Sequence, residues 1–153
     1  MALVFLGLGS NLGQKEEFLE LAIAEIKKQI GPIVARSAFY NSAPWGFESP
    51  NSFINACVAV ETTFDPQSCL SLVASIERHL GRTGKSTGGY TDRVIDIDIL
   101  FYDQVIIQEE NLIIPHPLLH LRKFVLMPLV EIAPKLKHPL LQKDIESLLK
   151  EIN

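Results

Sequence analysis

Residues 53–80 read FINACVAVETTFDPQSCLSLVASIERHL, and their hydrophobic pattern changes along the segment from a period of two to a period of about 3.6. Phe53 to Thr62 alternates as a strand with two different faces does. Asp65-Pro66 then supplies a helix N-cap and a proline in the first turn. The helix is expected to reach about Leu80, with a buried stripe made of Cys69, Val73, Ile76 and Leu80.

The flanking sequence adds further strands and helices. Residues 2–8 (ALVFLGL) predict a buried strand, residues 14–30 a helix ended by Gly31-Pro32, and residues 33–40 a second strand. After the segment quoted above, residues 94–101 predict a fourth strand. The order βαββαβ is that of the ferredoxin-like arrangement, so we expect an α+β fold with an antiparallel sheet.

The C-terminal part predicts additions to that core. Residues 105–107 are a candidate hairpin partner for the fourth strand, and short helices are expected near residues 117–122, 123–132 and 144–151. These helices would cover the second face of the sheet and give three layers, α/β/α. The absence of repeats and of a linker predicts a single domain spanning residues 1–153.

The composition excludes several classes of protein. With 47% hydrophobic and 21% charged residues the 153-residue chain is typical of a globular domain, and its net charge of −4 gives no general field for nucleic acid. Two cysteines in apolar surroundings indicate reduced core residues. Neither a signal peptide nor a membrane-spanning segment is predicted, so we expect a cytoplasmic protein without a membrane partner.

A basic, glycine-rich segment precedes the fourth strand. Residues 81–98 read GRTGKSTGGYTDRVIDID. On the strand, Asp96 and Asp98 are expected on one face, whereas the apolar face would carry Ile95, Ile97, Ile99 and Phe101. Carboxylates two residues apart lie roughly 7 Å apart at their Cα atoms, which allows them to share one Mg²⁺ or to hold two. The pattern therefore favours phosphate chemistry, although two solvated aspartates on an exposed face remain an alternative.

Other candidate residues lie outside this segment. Gly9-Ser10-Asn11 is either a turn or a site where backbone N–H groups bind an anion. Phe53 and Asn55 together suit a flat heterocycle, because the ring would stack on it and the amide would hydrogen-bond its edge. His116 is held between two prolines. Arg122 and Phe124 follow it and offer a phosphate ligand and a second stacking plane. The chain has no Walker A loop. It also has no nucleophile motif such as G-x-S-x-G, which disfavours covalent catalysis.

Six segments taken together resemble one known family. They are GSN at 9–11, PWG at 44–46, FIN at 53–55, RVIDID at 93–98, PHP at 115–117 and RKFVLMPLVEIAP at 122–134. In this order they are similar to 6-hydroxymethyl-7,8-dihydropterin pyrophosphokinases of folate biosynthesis. The resemblance implies Mg²⁺-dependent transfer of a pyrophosphoryl group from ATP to the hydroxymethyl oxygen of the pterin, with release of AMP.

The resemblance also implies roles for individual residues. Asp96 and Asp98 would hold two Mg²⁺ ions and, with Arg82 and Arg93, form the catalytic group. The residues implied in pterin binding are Ser42, Ala43, Pro44, Trp45, Phe53, Asn55, Tyr90 and Phe124. Those implied in ATP binding are Glu77, Arg82, Lys85, Arg93, Ile99, His116 and Arg122. Asn111 and Ile113 depart from the arginine and threonine that some relatives carry near the nucleotide.

Two other functions remain open from the residues alone. A D-x-D nucleotide-sugar transferase would use the same acidic pair, and a non-catalytic ferredoxin-like sensor would bind a small ligand without Mg²⁺. We expect small-molecule substrates, and a monomer or a weak homodimer.

Overall fold

The computed structural model describes residues 1–43, 51–81 and 94–152 of the chain. These ranges contain seven strands, four α-helices and a 3-10 turn at Leu119–Leu121. The elements are β1 (Ala2–Ser10), α1 (Lys15–Gln29), β2 (Ile33–Arg36), β3 (Tyr40–Ser42), β4 (Phe53–Thr62), α2 (Pro66–His79), β5 (Asp96–Tyr102), β6 (Ile107–Glu109), β7 (Leu112–Ile114), α3 (Lys123–Ile132) and α4 (Ile145–Ile152). None of the described helices combines the length and the apolar character that a bilayer crossing requires.

The main sheet has the strand order β2-β4-β1-β5, and β3 also pairs with β4. Every pairing in it is antiparallel. This is the order expected when βαββαβ units form a ferredoxin-like sheet. The predicted α+β fold with an antiparallel sheet is confirmed.

Two hydrophobic cores lie on opposite faces of the main sheet. On one face α1 and α2 pack on the sheet through Leu19, Ala22, Ile23, Ile26, Cys69, Val73 and Ile76. On the other face α3 and α4 pack through Val125, Leu126, Leu129, Ile145 and Leu148. The C-terminal helices therefore form the predicted third layer.

The C-terminal half of β5 differs from the predicted alternation. Ile97 and Ile99 pack under α1 and α2, but Phe101 lies on the opposite face, edge-on to Phe5 at 6.2 Å between ring centroids. The pairing of β1 with β5 shifts register so that Leu100 is an extra residue in β5. Such a bulge reverses which face the following side chains occupy, so the prediction that Phe101 shares the face of Ile99 is wrong.

The segment 33–40, predicted as one strand, is divided into β2 and β3. Residues 37–39 separate them, and the first of these is Ser37. It is buried, its backbone N–H donates to the Cys57 carbonyl at 2.9 Å, and its hydroxyl oxygen accepts from the Cys57 N–H at 2.9 Å. A side chain thus replaces one backbone bond of the ladder, and the strand pairing is interrupted there.

The predicted hairpin between residues 105–107 and β5 is also wrong. β6 instead pairs with β7, in a separate two-stranded sheet. The chain leaves the main sheet at Asp103, which has a φ of 49° and whose carboxylate accepts from the Leu3 N–H at 2.8 Å. The predicted helix at 117–122 is shorter than expected, only the 3-10 turn.

The sequence His-Pro-Leu-Leu occurs at 116–119 and again at 138–141, with the same local hydrogen bond. Nδ1 of His116 accepts from the Leu118 N–H at 3.2 Å, and Nδ1 of His138 accepts from the Leu140 N–H at 3.2 Å. Proline supplies no N–H and fixes φ, so the histidine ring caps the turn. Because Nδ1 accepts, the proton of the neutral ring is on Nε2 in both residues.

Burial lowers the pKa of His138, and nearby His120 lowers it further. As the pH falls below about 6.5, the ordinary pKa of histidine, His138 therefore takes up a proton in the unfolded chain before it does so in the folded protein. Its contribution to the stability of the folded protein is lost below that pH. The substitution His138→Asn keeps an acceptor at the position of Nδ1 but does not titrate. We expect urea denaturation to show a smaller loss of stability between pH 7.5 and 5.5 in this variant than in the wild type. Equal losses would contradict this role of His138.

Gly31 lies against the backbone of β4. A Cβ at this position would be 1.8 Å from the Glu61 carbonyl oxygen, so Gly31→Ala must displace main chain. We expect a loss of about 3 kcal/mol in the free energy of unfolding, measured by urea denaturation. Gly81→Ala is the control, because φ is 107° there and, among the residues that the structure describes, no heavy atom lies within 4 Å of the added Cβ. Backbone strain alone should cost it about 1–2 kcal/mol; equal losses would rule out the clash.

Candidate functional site

An open cleft lies on the sheet face that α3 and α4 partly cover. Gly7 and Gly9 of β1 line its floor. In the strand register Gly9 lies between Asn55 of β4 and Asp96 of β5. Gly7 lies in the same way between Cys57 and Asp98. At these two positions the middle strand presents no side chain on this face, and the gap between its neighbours is the floor of the cleft.

One wall of the cleft comes from β3 and the start of β4. It contains four of the residues predicted to bind a pterin, namely Ser42, Ala43, Phe53 and Asn55. Phe124, from the first turn of α3, lines the cleft as well. The structure therefore brings together both rings and the amide that the sequence pattern singled out for a flat heterocycle.

Asn55 has a defined orientation in this wall. It is buried, and its Nδ2 donates to Ser42 Oγ at 2.7 Å and to the Tyr40 carbonyl oxygen at 3.4 Å. A carbonyl only accepts, so the amide nitrogen must face β3. Oδ1 lies beside Gly9, 3.2 Å from where a Cβ on that glycine would be. The side chain thus offers a hydrogen-bond acceptor at the floor of the cleft.

Asp96 and Asp98 line the wall opposite Asn55. They are half-buried, and they occupy the same face of β5 because the bulge at Leu100 comes after them. Paired carboxylates suit Mg²⁺, which is commonly bound by one or two carboxylates while phosphates and water complete its octahedron. Among residues 1–43, 51–81 and 94–152, no group of three or more His, Cys, Asp and Glu residues is placed to hold a metal. Two carboxylates alone fit a cation whose remaining ligands come from phosphates and water.

Glu77 lies behind this acidic pair rather than on the cleft surface. It is buried in the last turn of α2, and its Oε2 accepts from the Ile97 N–H at 2.7 Å. Ile97 is the residue between the two aspartates, on the edge strand of the sheet. The bond satisfies a backbone donor that β1 does not pair, and it fixes the segment that carries both carboxylates.

Arg122 contributes positive charge to the cleft. It is the N-cap residue of α3, it is buried, and its guanidinium carbon lies 5.6 Å from the ring centroid of Phe124. Burial lowers the pKa of Arg122, although a guanidinium remains protonated at neutral pH. The arrangement matches a cation that binds an anion while it packs against a stacking ring.

His116 is near the acidic pair but is not part of the cleft lining. Its N–H donates to the Leu100 carbonyl at 3.0 Å, which attaches the 115–117 segment to β5. Burial lowers the pKa of His116, and the charge of Asp96 opposes that shift only in part. The ring is therefore neutral at pH 7. With Nδ1 accepting from Leu118, it presents Nε2–H as a donor.

The remaining predicted residues are placed differently or not described. The Ile99 side chain packs under α1 and α2, on the face opposite Asp96, so only its backbone is available to a ligand. Six predicted residues lie outside the described ranges, namely Pro44, Trp45, Arg82, Lys85, Tyr90 and Arg93. Their roles stay predictions.

The sequence reasoning did not identify several residues that line the cleft. Cys57 shares a strand face with Asn55, and that spacing was sufficient to find it. Burial raises the pKa of its thiol, which is therefore protonated and acts as an apolar surface. Gly7 and Leu100 carried no comparable signal, because the floor follows from strand register and from a bulge that the sequence does not reveal.

Both the sequence and the fold of this chain are similar to those of known proteins. A model of the 7,8-dihydro-6-hydroxymethylpterin-pyrophosphokinase family matches residues 5–134. A 2-amino-4-hydroxy-6-hydroxymethyldihydropteridine pyrophosphokinase of Porphyromonas gingivalis is 48% identical over 141 residues, which cover 91% of this chain and 95% of that protein. The enzyme of the same name from Aquifex aeolicus is 36% identical over 151 residues, covering 99% and 92% of the two chains.

The fold has a counterpart among solved structures. The Plasmodium falciparum HPPK-DHPS structure superposes with a TM-score of 0.80 at 19% identity, over 98% of this chain and 44% of that one. At this identity the likeness concerns the fold alone, and the chain corresponds to less than half of that longer protein. The match over residues 5–134, together with relatives aligned over nearly their whole length, shows that the chain belongs to the 7,8-dihydro-6-hydroxymethylpterin-pyrophosphokinase family.

Proposed function

We propose that this protein transfers a pyrophosphoryl group from ATP to the hydroxymethyl oxygen of 6-hydroxymethyl-7,8-dihydropterin, in folate biosynthesis. The reaction forms a bond between that oxygen and the β-phosphorus of ATP. It breaks the bond between the β-phosphorus and the oxygen that bridges to the α-phosphorus, and AMP and a proton are released.

A single observation carries this proposal. The cleft has a wall suited to a flat heterocycle, with Phe53 and Asn55, and a facing wall with Asp96 and Asp98, separated only by glycines. An acceptor alcohol attached to a bound ring would therefore lie close to the carboxylates. Direct transfer between two substrates depends on such positioning and on neutralisation of the phosphate charge.

The acceptor side of the cleft is complementary to a pterin. Phe53 and Phe124 supply ring faces, and Asn55 Oδ1 supplies an acceptor for the N–H groups at the edge of the heterocycle. The protonated thiol of Cys57 and the side chain of Val125 add apolar surface. A site that hydrogen-bonds the edge of a ring discriminates against analogues that lack the donor, because its buried acceptor would be left unpaired.

The phosphate side combines a cation-binding pair with positive and neutral donors. Asp96 and Asp98 would hold Mg²⁺, which when bound neutralises phosphate charge and lowers the pKa of a coordinated hydroxyl. Arg122 supplies a fixed positive charge, and His116 supplies an Nε2–H donor. Glu77 acts on this side through β5, by fixing the backbone between the two carboxylates.

The proposal includes finer points that rest on the family resemblance. We propose two Mg²⁺ ions rather than one, a monomer or weak homodimer, a cytoplasmic location and a single domain over residues 1–153. Arg82 and Arg93, with Lys85, are proposed to engage the phosphates, and Tyr90 is proposed to close over the pterin. Pro44 and Trp45 are proposed to complete the pterin wall.

The substitution Asp98→Asn tests the role of the acidic pair. We expect kcat to fall about 10³-fold, because a cation ligand is lost while the side chain keeps its size. The assay follows AMP formation from ATP, which should require the reduced hydroxymethylpterin and Mg²⁺. Asp103→Asn, on the same stretch of chain but outside the cleft, retains the acceptor for the Leu3 N–H and should stay within about twofold of wild type. ADP as the product, or a fully active Asp98→Asn protein, would refute the proposal.

The substitution Gly9→Ala tests whether the glycine floor belongs to the pterin site. Its Cβ would lie 3.2 Å from Asn55 Oδ1 and 3.5 Å from Phe53 Cδ1. We expect KM for the pterin to rise about tenfold, equivalent to about 1.4 kcal/mol, with little change in KM for ATP. Ser10→Ala changes the neighbouring side chain, which does not line the cleft, and should leave both values near wild type. A rise in KM for ATP alone would place the pterin elsewhere.

A further inference from the structure

We propose that Glu131 is a positioning residue for the pterin wall of the cleft, although it lies outside the cleft. It acts by holding β3 to α3, and through β3 it sets the orientation of Asn55. The proposal rests on the proposed function in one respect only, which is that the ligand of this wall is the pterin.

The carboxylate of Glu131 accepts hydrogen bonds from two donors at the start of β3, the N–H of Ala38 just before the strand and the hydroxyl of Tyr40, its first residue. The Ala38 N–H donates to Oε1 at 3.0 Å and to Oε2 at 3.2 Å, and the Tyr40 hydroxyl donates to Oε1 at 2.5 Å. Hydrogen bonds to a charged acceptor are about twice as strong as neutral ones. The bond to Glu131 raises the pKa of Tyr40, so the hydroxyl remains a donor across the neutral range.

β3 has little else to hold it in place. It has three residues, and its only strand partner within the described ranges is the first part of β4. Tyr40 pairs with Asn55, and Ser42 pairs with Phe53. A strand this short is marginal without contacts from other elements. The carboxylate on α3 supplies such contacts at the N-terminal end of β3.

The position of β3 decides how Asn55 faces the cleft. The amide nitrogen of Asn55 is bonded to Ser42 Oγ and to the Tyr40 carbonyl, both in β3. These two acceptors direct Nδ2 away from the floor and leave Oδ1 beside Gly9. If β3 moved, Asn55 would lose the two hydrogen bonds that fix the orientation of its side-chain amide. The acceptor for the heterocycle would then no longer be fixed.

The helix that carries Glu131 also carries Phe124, the second ring that lines the cleft. Phe124 and Glu131 are seven residues apart on α3, which places them about 10 Å apart along the axis and on the same side of the helix. Phe124 lines the cleft near the start of α3, and Glu131 binds β3 near its end. One helix therefore sets the position of both the β3 wall and the Phe124 ring, and with them the width of the space between Phe53 and Phe124.

The test compares Glu131→Gln and Tyr40→Phe with Glu146→Gln. Glu146 bonds Lys135 on the surface, so its variant applies the same chemical change outside this contact. We expect KM for the pterin to rise about tenfold in Glu131→Gln and less in Tyr40→Phe, while kcat and KM for ATP stay within about twofold. The double variant should be no worse than Glu131→Gln alone. If Glu131 only stabilised the fold, its substitution would raise KM for both the pterin and ATP, or for neither. Either result would overturn the proposal.

A second readout does not require turnover. The side-chain amide resonances of Asn55 in a ¹⁵N-labelled protein report its hydrogen bonds to β3. They should shift in Glu131→Gln and Tyr40→Phe but not in Glu146→Gln. If the wild type formed no AMP, the proposed function would fail while this measurement still decided the role of Glu131. Unchanged Asn55 resonances in both variants would overturn that role.

Discussion

The functional surface depends on two missing side chains in the centre of the sheet. Gly7 and Gly9 belong to β1, which lies between β4 and β5, so any larger residue there would fill the space between the two walls. The strand cannot be moved to compensate, because its other face is packed against α1 and α2. The position of the cleft therefore follows from strand order and from glycine at two alternate residues.

Each wall is held from the side that faces away from the cleft. Glu77 bonds the backbone of β5 between the two aspartates, and Glu131 bonds the segment leading into β3. Both acids accept from main-chain N–H groups that strand pairing does not use. Because these contacts act on the backbone, they fix the ligand-facing side chains without occupying the space of a ligand. Under the proposed function, four carboxylates near the site serve two different purposes: Asp96 and Asp98 are proposed to bind a cation, and Glu77 and Glu131 to position the two walls.

The sequence predicted the order of elements well, because periodicity and caps are local properties. The Asp65-Pro66 start of α2 is an example, with the Asp65 carboxylate accepting from the Ser68 N–H at 2.7 Å. Phe101 was assigned to the wrong face because a bulge is decided by pairing with another strand. Glu131 was not identified because its partners are more than 90 residues away in the chain. Non-local contacts of this kind leave no periodic trace.

The claim that one cleft holds both substrates is tested most directly by a crystal structure of the complex. The protein would be crystallised with the pterin, a non-hydrolysable ATP analogue and Mn²⁺, whose anomalous signal locates the cation. We expect the heterocycle between Phe53 and Phe124, and cation density within about 2.5 Å of carboxylate oxygens of Asp96 and Asp98. A pterin bound away from Asn55, or a cation with no oxygen from either aspartate, would contradict the account.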